Sequence, residues 1–313
     1  MTQEQILNSS FSKTKKACLL FELGLTRTQV AGLVTNGNYG FAHNIWKKWN
    51  EQRNGIVANE PYSIAPFDFE FNRTFGIELE IYDASRDRLI AAFRNEGLTL
   101  VGEEYNHTTR THWKIVRDGS IQGANGNEIV SPVLCGLDGI EQLKKATIAL
   151  NKAGAKINTS CGFHVHFGIT DLSIDNIKTL AKNHIELENA FDSIVPSSRR
   201  LNNNTYCKSL TSVATSKSVV ITKLNAATTI SEITQLFHTR YLKMNFQSYN
   251  RQGTVEIRQH SGTTTFSKIK NWVLICARLI DFSKQNGLTN NINSILNESL
   301  QDYFNDRAID LAA

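Results

Sequence analysis

Three short segments alternate, with a period of two, between apolar and ionisable side chains: "FGIELEI" (75–81), "GFHVHFG" (162–168) and "TVEIRQH" (254–260). Successive side chains of an extended strand point to opposite faces. Glu78 and Glu80 therefore share one face while Ile77, Leu79 and Ile81 share the other. His164 and His166 oppose Phe163, Val165 and Phe167, and Glu256, Arg258 and His260 oppose Val255 and Ile257. A fourth segment, "GNEIVSP", places Glu128 where a strand begins. The pattern requires a sheet with one apolar face against a core and one polar face turned away from it.

Each strand alone fits the solvent side of an antiparallel sheet, where Glu, Arg and His are ordinary. Together they collect acids and imidazoles, where a merely solvated face favours Lys, Thr and Ser. Clustered carboxylates repel one another unless a cation neutralises them. Oxygen donors with one or two imidazoles suit Mg²⁺ or Mn²⁺ better than Zn²⁺. Acids, divalent ions and an arginine are what phosphoryl transfer needs. The chain has no Walker loop, GxGxxG or kinase signature, so a nucleotide would have to be held by another architecture.

Between the strands, helical patterns run from a Ser85 cap to Gly97, from Asp138 to Gly154, over "SIDNIKTLAKNHIELENAFDSIV" as one long helix, and over "SKIKNWVLICARLIDFSKQNG". Strands grouped with helices, without Gly-rich βαβ units, predict an α+β antiparallel sheet with flanking helices. The first residues differ. "SKTKKACLLFELG", "LTRTQVAGLV" and "YGFAHNIWKKW" read as three helices with caps at Ser12 and Thr26 and turns at Gly24 and Gly37. That spacing resembles the helix-turn-helix segments of bacterial and phage DNA-binding proteins. Residues 1–60 carry seven Lys/Arg against four Glu, a balance of +3. So mild a charge leaves DNA binding and protein contacts both open. The expected organisation is a small helical domain over 1–55, a linker over 56–73, a main domain over 74–290 and a helical extension over 291–313.

Composition excludes several classes. A content of 41% hydrophobic and 20% charged residues is that of a globular protein. No stretch approaches the roughly 18 apolar residues a membrane span needs. The opening "MTQEQILNSSFSKTKK" has no apolar core of a secretory signal, and the expected location is cytoplasmic. Five scattered cysteines, without a CxxC pair, fit reduced thiols better than a disulfide framework or a zinc finger. Cys161, beside the histidines, is read as packing rather than as a nucleophile. His107, His112 and His184 are read as surface or helix histidines.

Taken in order, "FGIELE", "WKIVRDGSI", "NEIVSPVL", "GFHVHFG", "SRRLNNNTYC" and "TVEIRQHSGT" resemble the amidoligase family of the carboxylate–amine ligase superfamily, which includes glutamine synthetase and γ-glutamylcysteine ligase. The resemblance spans about residues 74–285. It implies a sheet of the glutamine synthetase catalytic type and an ATP- and Mg²⁺-dependent ligase that forms an amide through an acyl phosphate. The partners would be small-molecule or peptide carboxylates and amines. By the same resemblance Glu78, Glu80, Glu128, His164 and Glu256 hold metal, and His166 contacts nucleotide phosphates. Arg258 meets the transferred phosphoryl group. Asp118 and Ser120 position substrate or amine, and Asn245 with one of the adjacent Arg199 and Arg200 binds phosphate or carboxylate. Two rivals stay open: a phosphotransferase or hydrolase on the same fold, and a DNA-binding regulator whose ligase-derived domain senses a ligand.

Overall fold

The computed structural model describes residues 1–54 and 69–312, so most of the expected linker over 56–73 lies outside the described residues. The first segment holds α1 (Gln3–Leu7), α2 (Lys13–Glu22), α3 (Arg27–Val34) and α4 (Tyr39–Asn54). Then follow β1 (Thr74–Ile81), α5 (Arg86–Asn95), β2 (Leu100–Gly102), β3 (Trp113–Arg117), β4 (Asn127–Val130), β5 (Leu134–Cys135), α6 (Gly136–Ala153) and β6 (Gly162–Gly168). The remainder comprises α7 (Ile174–Glu186), α8 (Glu188–Ser193), α9 (Lys217–Ala226), α10 (Ile230–Leu236), β7 (Met244–Asn245), α11 (Tyr249–Gln252), β8 (Thr254–Ser261), α12 (Phe266–Gln285) and α13 (Glu298–Ala312).

The described residues divide into two compact units: 1–54 with 297–312, and 69–296. In the helical unit the expected caps are present. Ser12 accepts from the Lys15 amide and Thr26 from the Gln29 amide, while Gly24 takes a left-handed φ of +85° in the turn between α2 and α3. Ile6, Ala17, Leu20, Val30, Ala42 and Ile45 form its core. Two expectations are corrected here. The N-terminal segment has four helices rather than three. The extension over 291–313 is divided as well, since α13 joins the N-terminal helices. Asp306 on α13 accepts from the Tyr39 hydroxyl at 2.7 Å, lies 2.7 Å from His43 Nδ1 and pairs with Arg27, while Asp302 accepts from Thr28 at 2.5 Å. Arg27, whose guanidinium lies 4.1 Å over the Trp46 ring, is thus committed within the unit.

The second unit is built on one mostly antiparallel sheet in the order β2-β3-β4-β1-β6-β8-β7, with β5 also paired to β1. Only β2 and β3 run parallel among these pairs. Alternation sorts the faces as the sequence pattern requires: Ile77, Leu79, Ile81, Phe163, Val165, Phe167, Val255 and Ile257 are all buried. Helix α6 approaches this apolar side closely at Gly139, where a Cβ would sit 3.0 Å from the Phe75 ring. Helix α12 reaches it through Trp272, whose ring lies 4.9 Å from that of His260. Gly154, at a left-handed φ of +77°, ends α6 as expected. The long helix expected from Ser173 is instead two, α7 and α8, divided at Leu187. His184 is no surface residue: it is buried on α7 with its ring 5.7 Å from that of Phe191. Among the described residues no helix is long and apolar enough to cross a membrane.

Candidate metal and phosphoryl-transfer site

Strand register assembles the polar face. β1 and β6 set Glu78 opposite His164, β1 and β4 set Glu80 opposite Glu128, and β6 and β8 set His166 opposite Glu256. Directly opposed residues on one face hold their Cβ atoms about 5 Å apart, so the pairing alone brings these six groups together two by two. His164 Nδ1 lies 3.4 Å from Glu78 Oε2 and 3.5 Å from Glu256 Oε1, and its Nε2 lies 4.0 Å from Glu80 Oε1. His166 Nε2 lies 3.4 Å from Glu78 Oε1 and 3.8 Å from Glu256 Oε1, buried and without a hydrogen-bond partner. Three sets of donors, Glu78–His166–Glu256, Glu78–Glu128–His164 and Glu80–Asp118–Glu128, each hold their ligand atoms within 4.8 Å of one another.

Electrostatics divides the acids. Burial drives the Glu128 carboxyl well above the ordinary range, and the charges of Glu78, Glu80, Asp118 and Glu256 drive it the same way. Burial would raise Glu78 too, but His166 and His164 hold it well below. Glu256 is likewise lowered against its burial by Arg258 and His166. A cluster that can ionise fully only at such cost, with an orphaned imidazole nitrogen aimed into it, has the donor chemistry of a divalent-cation site. Both imidazoles belong to these donor sets, so the geometry draws no division between a metal-binding His164 and a phosphate-binding His166.

The supporting contacts are specific. The Asn245 amide donates to Glu256 Oε2 at 2.6 Å, and the Gly162 N–H donates to Glu80 Oε2 at 2.5 Å. Arg258 pairs with Glu256 through Nη1, while its Nε donates to the Tyr206 carbonyl at 3.3 Å. Asp118 follows β3 and accepts from both the backbone N–H and the hydroxyl of Ser120, each at 2.7 Å. All these acids and both histidines line a polar cavity of about 710 Å³, with Asp118, Ser120, Arg199 and Arg258 in its wall. A second cavity of about 240 Å³ shares Glu78, Glu128 and His166 with the first.

Three expectations are corrected. Asn245 is buried behind Glu256 and orients that carboxylate rather than facing the cavity. Of the adjacent arginines Arg199 lines the cavity, whereas Arg200 does not and donates through Nε to the Val195 carbonyl. His260 leaves the polar face. The β6–β8 register shifts between Phe163 and Val165, setting one more residue in β8 than in β6, so His260 turns to the core against Phe163 and Trp272. His107 is exposed, as read from sequence, and also lines both cavities. Arg117, Arg240 and Arg251 also line the larger cavity. Arg240 and Arg251 sit outside the alternating strands, where a single sequence carries no signal to find them. Cys161 is buried and burial pushes its thiol up, in keeping with a packing role.

No curated protein matches the chain. Residues 71–280, by contrast, match the model of a family described as "Putative amidoligase enzyme", two thirds of the chain and the whole of the sheet that carries the acids. By that match, and with its motif strands paired in one sheet, the chain belongs to the amidoligase family.

Proposed function

We propose that the protein is an ATP- and Mg²⁺-dependent ligase that joins a carboxylate to an amine through an acyl phosphate, on a sheet of the glutamine synthetase type. The observation that carries this reading is the convergence of Glu78, Glu80, Asp118, Glu128, Glu256, His164 and His166 beside Arg258 in one polar cavity. Divalent cations held by these donors would offset the repulsion between two anionic substrates and polarise the phosphoryl oxygens. Arg258, held by Glu256 on one side and the Tyr206 carbonyl on the other, would take up charge as the γ-phosphoryl group leaves ADP. Asn245 and the Gly162 N–H hold Glu256 and Glu80 in one orientation, so little reorganisation accompanies the transfer. The carboxylate oxygen attacks the γ-phosphorus and ADP departs with the bridging electron pair. An amine then attacks the acyl carbon and phosphate departs. No protein nucleophile takes part.

The test is a screen of carboxylate and amine pairs for ATP-dependent ADP release with Mg²⁺ or Mn²⁺, followed by mass measurement of the product. A product lighter by one water than its two substrates combined is the expected result, and Glu256→Ala is expected to lose it. Phosphorylated acid without amide would make the protein a phosphotransferase. Absence of any nucleotide binding with either metal would overturn both readings.

A further inference from the structure

Three large aromatic side chains left open to solvent lie in the wall of the larger cavity. Tyr105 is 54% exposed, Tyr206 53% and Tyr241 36%. The Tyr206 and Tyr241 rings meet edge to face, with centroids 5.4 Å apart. Arg240 ties the group together: its guanidinium lies 5.1 Å from the Tyr241 ring centre, donates through Nη2 to the Tyr241 hydroxyl at 3.3 Å, and engages Tyr105 as well. Rings and a guanidinium plane so arranged offer flat, polarisable surfaces, which recognise planar heteroaromatic rings.

The wall is continuous with the acid cluster through one side chain. Arg258 contacts Glu256 at one end of its guanidinium and the Tyr206 backbone at the other. A ligand whose phosphates meet Arg258 and the acids therefore lies beside the segment that carries Tyr206, in the cavity that Tyr105 and Tyr241 also line. The second cavity offers an alternative route to two of these acids, Glu78 and Glu128, and its character differs. Among the described residues no tyrosine lines it, and Gly76, Gly168 and Gly253 line it beside Thr254. It suits a compact substrate, which leaves the aromatic wall to the nucleotide.

We propose that Tyr105, Arg240, Tyr241 and Tyr206 form the seat of the nucleotide's purine base. The proposal rests on the ATP-dependent reading above and adds to it the position and chemistry of base recognition. Triphosphate alone would then bind more weakly than ATP, because it forfeits the stacking of the base on the aromatic wall.

The experiment is calorimetric titration of the full chain with Mg²⁺–ATP and with Mg²⁺–tripolyphosphate. The wild type is expected to bind ATP roughly 10-fold more tightly than tripolyphosphate, and the Tyr206→Ala/Tyr241→Ala double variant to bring the two within about 2-fold by weakening ATP alone. Tyr241→Trp is expected to keep the preference. Equal affinities in the wild type, or a preference that survives the double alanine variant, would overturn the base seat while leaving the ligase reading standing. Failure of both ligands to bind the wild type would overturn the nucleotide reading, and the base seat with it. Saturation-transfer NMR on the wild type gives a check independent of variants: the adenine protons must receive saturation from tyrosine rings, and its absence overturns the proposal.

Discussion

Glu128 stands opposite Glu80 on the neighbouring strand and in donor sets with Glu78 and Asp118, its carboxyl driven upward by burial and by their charges. A residue in that position opposes folding of the metal-free protein and favours it once a cation is bound. Glu128→Gln is therefore expected to raise the melting temperature without metal and to weaken the rise that Mn²⁺ produces. For a wild type at about 100 times Kd, mass action alone supplies roughly 2.7 kcal/mol, and the variant should lose most of it. A thermal-shift series over Mn²⁺ reads both, and an undiminished shift in the variant would remove Glu128 from the ligand set. The role of Glu128 as a metal ligand rests on the family resemblance, while its place in a short strand was legible in "GNEIVSP". His184 was not, since nothing in "AKNHIELE" separates a buried imidazole from an exposed one. Burial, reinforced by the charge of Lys243, lowers its pKa to about 3, although Asp192 acts against this. The folded protein keeps His184 neutral while the unfolded chain protonates near 6.5, so its contribution is complete above about pH 6.5 and is lost as pH falls toward 3. Between these limits each pH unit costs up to roughly 1.4 kcal/mol. Urea denaturation between about pH 7 and pH 5 should show a flatter dependence in His184→Phe than in wild type. Parallel curves would refute it.

Strands were the most readable elements because period-two alternation and burial of one face are the same fact seen twice. β1, β4, β6 and β8 all appear where "FGIELEI", "NEIV", "GFHVHFG" and "TVEIRQH" place them. Alternation says nothing of which strand lies beside which, nor of where one carries an extra residue. The shift between β6 and β8 was therefore invisible, and His260 was placed on the wrong face. Pairing also explains a glycine that composition could not. A Cβ on Gly162 would fall 2.6 Å from His164 Nε2 and 3.4 Å from Glu80 Oε2. Gly162→Ala is expected to push the imidazole out of the donor cluster, abolishing the Mn²⁺-dependent thermal shift while the strand itself persists by circular dichroism. A retained shift would show that the strand yields instead of the histidine.

At the scale of the whole chain, the family motifs located the sheet unit, but the partner of the N-terminal helices could not be read. Its signal is two acids on an otherwise ordinary amphipathic helix far along the chain. Asp302 and Asp306 on α13 receive Thr28, Tyr39, His43 and Arg27 from α3 and α4. Truncation after residue 296 strips those side chains of their acceptors and uncovers the half-buried Arg27 and Tyr39 and the buried His43. Limited proteolysis of the truncated protein is expected to cut within residues 1–54 while the sheet unit resists and keeps its response to Mn²⁺. Protection equal to wild type in both units would show that α13 is dispensable. The return of α13 also sets an order of events during synthesis. The ribosome makes the helical unit's first half before the sheet unit and its second half afterwards, so the segment that emerges earliest is the one that must wait longest for its partner.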